Sequence, residues 1–135
     1  MSTTRCDTSP GQNVYSYLSM VNLNTTLDEY GKNATSSWER EFYYDGWNST
    51  KTDENIINSR IRKAIQMVYA DASKIGCGVT ECGKNPSIDN WYMITLVCLY
   101  EKPLSNVVSD IYLEGEACSK CSGGSKCETS SGLCA

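Results

Sequence analysis

The sequence predicts a single α+β domain that ends in a cysteine-stapled tail. Three observations carry this. The first half holds two amphipathic helical segments, the second half holds two β-rich segments joined by turn residues, and the last stretch has four cysteines and almost no apolar residues. At 135 residues the chain is long enough for one domain with a modest core.

Residues 1–13 are polar and turn-rich and read as a loop. Val14–Leu23 is apolar-rich without a clear period, so no element is assigned there. Thr26-Leu27-Asp28-Glu29 has capping-box spacing, in which Thr26 accepts from a free backbone N–H while Glu29 reaches back. Leu27, Tyr30, Ala34, Trp38 and Phe42 then recur at helical spacing and predict a helix over 27–43, with Gly31 and Asn33 lowering its intrinsic propensity. The polar stretch 43–55 reads as a loop. A second helix is expected over 55–72, with Ile57, Ile61, Ala64, Ile65 and Val68 along one face. "SKIGCGVTEC" and "WYMITLVCLY" predict an antiparallel hairpin over 75–82 and 91–100, turned by "GKNPSIDN". A short strand is expected at 111–113. The tail "GEACSKCSGGSKCETSSGLCA" cannot bury a core and needs covalent staples to be ordered.

Composition excludes several classes of function. The net charge is −4 and the 12 Lys and Arg form no block, so a nucleic-acid partner is not expected. No apolar run approaches the roughly 18 residues of a membrane span. Eight cysteines and three N-x-[ST] sequons, at Asn24, Asn33 and Asn48, point to an oxidising, secretory environment. There is no histidine, which removes the commonest zinc ligand and general base.

Six motifs in order resemble one family. They are Gly11-Gln12-Asn13-Val14-Tyr15, Trp38-Glu39-Arg40-Glu41, the "QMV" of the second helix, "IGCGV", "WYMITLVCLY", and the ending "GEACSKC…GLC". Together they resemble the CAP superfamily of cysteine-rich secretory, antigen 5 and pathogenesis-related proteins, and within it the nematode activation-associated secreted proteins. The resemblance implies a three-layer α-β-α sandwich with a small cysteine-rich C-terminal extension. It divides the chain into a CAP domain over 1–113 and a disulfide-stapled tail over 114–135. Family members place a helix and a strand before the first motif, whereas ten residues precede Gly11 here. The resemblance therefore implies a partial sandwich that is incomplete at its N-terminus. That would also account for the lack of an apolar leader in "MSTTRCDTSPGQN", and it would leave apolar sheet surface uncovered.

In the family, two histidines and two acidic side chains line a central cleft and can bind a divalent metal. Carried over by position, the first acid is Gln12, the second is Glu41, one histidine is Lys63, and the other has no counterpart. A charged lysine only donates and repels a cation, and a neutral amide is a poor zinc ligand. The tetrad is degenerate, and no metal, cofactor or hydrolytic activity is expected. Glu41 and Lys63 either pair across the old cleft or remain separate solvated helix residues.

The resemblance also implies a disulfide set: Cys6–Cys82, Cys77–Cys98, Cys118–Cys127 and Cys121–Cys134. Spacing alone leaves the connectivity open. Cys77 and Cys98 fall on the two expected hairpin strands, where neighbours are close enough to bridge. Cys6–Cys82 would close a loop of roughly 75 residues, worth on the order of 4 kcal/mol in the chain-entropy description. Zinc in the tail is the rival reading, but Cys127 and Cys134 are too far apart for the usual pair and no histidine is available. A redox role for Cys118-Ser119-Lys120-Cys121 lacks the βαβ pattern it needs.

The expected function is therefore that of a secreted, non-enzymatic protein acting by extracellular protein binding. The nematode resemblance implies host–parasite interaction. Sterol or fatty-acid carriage is the alternative that the family offers. The aromatics of Glu41–Thr50 are candidate contact residues, with Phe42 expected in the core instead.

Overall fold

The computed structural model describes residues 11–24, 26–104, 107–121 and 123–134. The chain runs through β1 (Gln12–Ser19), α1 (Leu27–Asp45), α2 (Glu54–Ile57), α3 (Arg62–Val68), β2 (Ile75–Asn85), a 3₁₀ turn (Pro86–Ile88), β3 (Trp91–Tyr100), β4 (Cys127–Glu128) and β5 (Leu133–Cys134). Strands β1, β3 and β2 form one antiparallel sheet with β3 at the centre. The mixed α+β architecture and the disulfide-rich C-terminal extension are those the sequence predicts.

Helix α1 starts where Thr26 accepts from the Glu29 N–H and ends at Gly46, whose N–H still bonds the Phe42 carbonyl and whose φ of 68°, open to glycine, turns the chain out of the helix. Its spacing of apolar residues buries Tyr30, Ala34 and Trp38 against Ile94, Leu96 and Cys98 of β3. Tyr15 and Tyr17 of β1 and Val79 of β2 pack on the same cluster. Leu27 stays 44 % exposed, so the stripe begins one turn into the helix. Burial, followed by a hydrogen bond to Tyr30, holds the Tyr17 phenol above its ordinary pKa.

On the opposite face of the sheet the Ser16 and Thr95 hydroxyls meet at 2.9 Å, while Leu18 and Leu99 are 42 % and 54 % exposed. A second cluster joins α3 to the later loops: Ile61, Ala64, Ile65, Tyr69, Leu104 and Ile111, with Phe42 and Trp47 stacked at 5.1 Å along its edge.

Three sequence expectations need correction. Gln12 and Asn13 belong to a strand rather than a loop, and that strand continues to Ser19. Its start is fixed by Gly11, whose φ is +81° and where a Cβ would sit 2.7 Å from the Pro103 Cβ; the Gly11 carbonyl accepts from the Tyr100 N–H at 3.0 Å. The helix expected over 55–72 is broken in two. At the break the Ser59 hydroxyl donates to the Ile56 carbonyl at 2.6 Å and the backbone tightens. The helix also stops at Val68, because Tyr69 turns extended and the Ala70 N–H is taken by the Ile111 carbonyl at 2.8 Å. Val68 is 42 % exposed, off the expected face. Finally, 111–113 is not a strand. Ile111 is instead pinned by its N–H to the Thr50 carbonyl at 2.7 Å, beside an isolated bridge between Lys51 and Asp110.

Cys77 and Cys98 are directly opposite in the β2–β3 register and are disulfide-bonded. The tail carries the bonds Cys118–Cys127 and Cys121–Cys134 around the two-residue pair of β4 and β5. Leu133 there is 64 % exposed, so covalent bonds rather than a core order this segment. The fourth expected bond, Cys6–Cys82, has one end outside the described residues.

Candidate functional site

The strongest site geometry lies where α1 crosses the start of α3. Trp38 and Glu41 sit three residues apart on α1; Trp38 turns into the sheet, and Glu41 reaches α3. Helix α3 follows Ile61, whose side chain supplies no cap, so its first N–H groups need acceptors from elsewhere. Glu41 Oε2 supplies them, accepting from the Lys63 and Ala64 N–H groups at 3.1 Å each. Glu41 Oε1 accepts from Lys63 Nζ at 2.6 Å. The carboxylate thus takes three charge-assisted hydrogen bonds, two of which act as a helix cap supplied from another helix. Its side chain is 15 % exposed, and that of Lys63 is 41 % exposed.

Asn13 secures this arrangement from the sheet side. It is 1 % exposed, and its side-chain amide donates to the Lys63 carbonyl at 2.9 Å and to the Tyr100 hydroxyl at 3.2 Å. Burial raises the Tyr100 phenol above its ordinary pKa, opposed by that hydrogen bond. Gln66 does the same at the other end of α3, donating to the Lys102 carbonyl at 3.0 Å and accepting from the Leu104 N–H at 2.9 Å. Sequence reasoning did not single out either residue, although both lie inside the quoted motifs, in "GQN" and "QMV". Gln12 is 8 % exposed and does not line the groove described next.

Outside the ion pair lies an open groove of about 480 Å³, lined by Arg40, Glu41, Tyr44, Asp45, Arg60 and Lys63 among others. The Arg40 guanidinium lies 5.4 Å over the Tyr44 ring and donates to its hydroxyl at 2.6 Å. Tyr43 and Tyr44 are 86 % and 66 % exposed and make an edge contact. Among the described residues, no group of three or more His, Cys, Asp or Glu side chains is placed to hold a metal. No helix there is long and apolar enough to cross a membrane. The sequon residues Asn24, Asn33 and Asn48 are all exposed.

A three-stranded antiparallel sheet with α1 packed on it and α3 wedged beside it, followed by a disulfide-bonded tail, defines a CAP-type sandwich. Residues 2–100 match the cysteine-rich secretory protein family (CAP), and the chain belongs to that family. It is an extracellular protein. It is 30% identical over 97 residues to peptidase inhibitor 16 of Mus musculus, covering 72% of this chain and 19% of that protein. It is 37% identical over 65 residues to the Homo sapiens protein of the same name, covering 48% of this chain and 14% of that one. The chain thus spans a small part of these relatives. Its fold is similar to that of the crystal structure of NaASP2 with Zn2+, with a TM-score of 0.67 at 27% identity over 93% of this chain and 60% of that one.

Proposed function

We propose that this chain is a non-enzymatic CAP domain that acts by binding an extracellular protein, using the C-terminal end of α1. The observation that carries this reading is the engagement of Glu41. The one acidic residue at a family site position has both oxygens committed to α3 and Lys63, so none is directed at a substrate or a metal. The family-site positions Gln12, Glu41 and Lys63 are then a degenerate tetrad serving the scaffold, and of the three Glu41 and Lys63 line the groove. Beside them Tyr43 and Tyr44 offer exposed aromatic surface with an arginine against it, the residue types that anchor protein interfaces.

The curated relatives are named as a peptidase inhibitor, a role exercised by binding a protein. A secreted peptidase is therefore a partner class to test first. If the chain comes from a parasitic nematode, the partner belongs to the host. Sterol or fatty-acid carriage is the competing function, and no feature of the described residues favours it.

The test is binding to a panel of extracellular proteins that includes secreted peptidases, repeated with the double variant Tyr43→Ala/Tyr44→Ala. The variant is expected to lose at least about tenfold in affinity. Partners bound equally well by the variant, or stoichiometric retention of labelled sterol on gel filtration, would contradict this reading.

A further inference from the structure

We infer that the groove between α1 and α3 receives a carboxylate from an acidic segment of the protein partner. The inference rests on the binding function proposed above and specifies the chemistry of the contact. It follows from which polar groups in the groove are already engaged.

Glu41 accepts three hydrogen bonds from α3 and Lys63 and, as an acceptor, has no donor to offer a carboxylate. Lys63 has three ammonium N–H groups and one acceptor, and its side chain is 41 % exposed. Arg60 is exposed and makes no hydrogen bond or ion pair among the described residues. Arg40 is held against Tyr44, which fixes its position at the rim while leaving most of its five donors unused. The groove therefore has surplus donors from three cations converging on one volume. A planar guanidinium such as that of Arg60 matches a carboxylate in bidentate fashion.

Charge decides between kinds of oxyanion. Glu41 and Lys63 cancel, and Arg40, Arg60 and Asp45 leave one net positive charge in the groove. The chain as a whole carries −4. A monoanionic carboxylate balances the groove. A dianionic phosphate or a polysulfated chain overshoots it and meets repulsion from Asp45 and from the surrounding surface.

The experiment is a heteronuclear NMR titration of the disulfide-intact protein at low ionic strength. The ligand is a capped, otherwise neutral peptide bearing one glutamate, with the same peptide carrying glutamine in its place as control. Saturable shifts are expected at Arg40, Arg60 and Lys63 with the first peptide only. Arg60→Gln should weaken binding by about tenfold, the loss of one charge-assisted hydrogen bond, while Lys120→Gln in the tail leaves it unchanged. Arg60 makes no hydrogen bond or ion pair among the described residues, so the variant should keep the wild-type unfolding curve. The inference is overturned if no saturable shift appears, if both variants weaken binding equally, or if a sulfated oligosaccharide occupies the groove more tightly than the peptide. In those cases a partner whose binding still depends on Tyr43 and Tyr44 leaves the wider binding function standing. Loss of that dependence as well removes both.

Discussion

Trp38→Ala should destabilise the domain by about 3–5 kcal/mol, the range for truncating a buried aromatic. Trp38 is 2 % exposed at the centre of the cluster formed by Tyr30, Ala34, Ile94, Leu96 and Cys98. Its indole N–H also donates to the Val14 carbonyl at 3.4 Å, tying α1 to the edge strand β1. Truncation therefore leaves a cavity between helix and sheet and an unpaired strand carbonyl. Typical domains are stable by about 5–15 kcal/mol, so a loss of this size is a large share of the total. Urea unfolding followed by far-ultraviolet circular dichroism reads it, because the change removes a fluorophore. The midpoint should fall with little change in slope. Tyr43→Ala, at an 86 % exposed position, should stay within about 0.5 kcal/mol of wild type.

The second large effect is at Glu41, where two contributions can be separated by size. The ion pair with Lys63 is partly exposed on the lysine side, and such pairs contribute about 0–1 kcal/mol. The bonds to the Lys63 and Ala64 N–H groups end in a carboxylate that is only 15 % exposed; removing it strands two helix donors and a cation. Glu41→Ala should therefore cost about 2–3 kcal/mol. Lys63→Met should cost less than about 1 kcal/mol, since the cap survives. The double variant should show coupling no larger than the lysine effect. Equal costs for the two single variants would mean that the ion pair, not the cap, dominates.

Particular residues show where sequence reasoning worked and where it ran out. Helix α1 was legible because its apolar residues face a single partner, the sheet, and a capping residue marks its start. Strand β1 was not. Tyr15 and Tyr17 point to one face while Val14 and Leu18 lie on the other, so apolar residues on both faces erase the period-two signal. The break between α2 and α3 was hidden for a different reason. Asn58 and Ile61 stay in right-handed helical conformation through the turn, so side-chain spacing carries on while the hydrogen-bond ladder stops.

The family motifs supplied candidate positions, Gln12, Glu41 and Lys63, but no arrangement of them in space. Sequence left open whether Glu41 and Lys63 meet, since a partner 22 residues away depends on how two helices cross. The capping role of Glu41 had no sequence signal at all, because α3 lacks a cap of its own and the donor and acceptor lie on different helices. Asn13 and Gln66 were visible as motif letters. Their use as fasteners between strand, helix and loop appears only once the fold supplies the carbonyls they reach.

The central claim is that Glu41, held by α3 and Lys63, makes this cleft part of the scaffold rather than a metal site. Zinc titration of the native, disulfide-intact protein tests it most directly, by calorimetry together with the unfolding temperature. The account predicts no saturable heat and no change in unfolding temperature, in contrast to a relative that has been crystallised with Zn2+. Binding of one zinc per chain, with an unfolding temperature that rises with zinc in the wild type but not in Glu41→Ala, would contradict it.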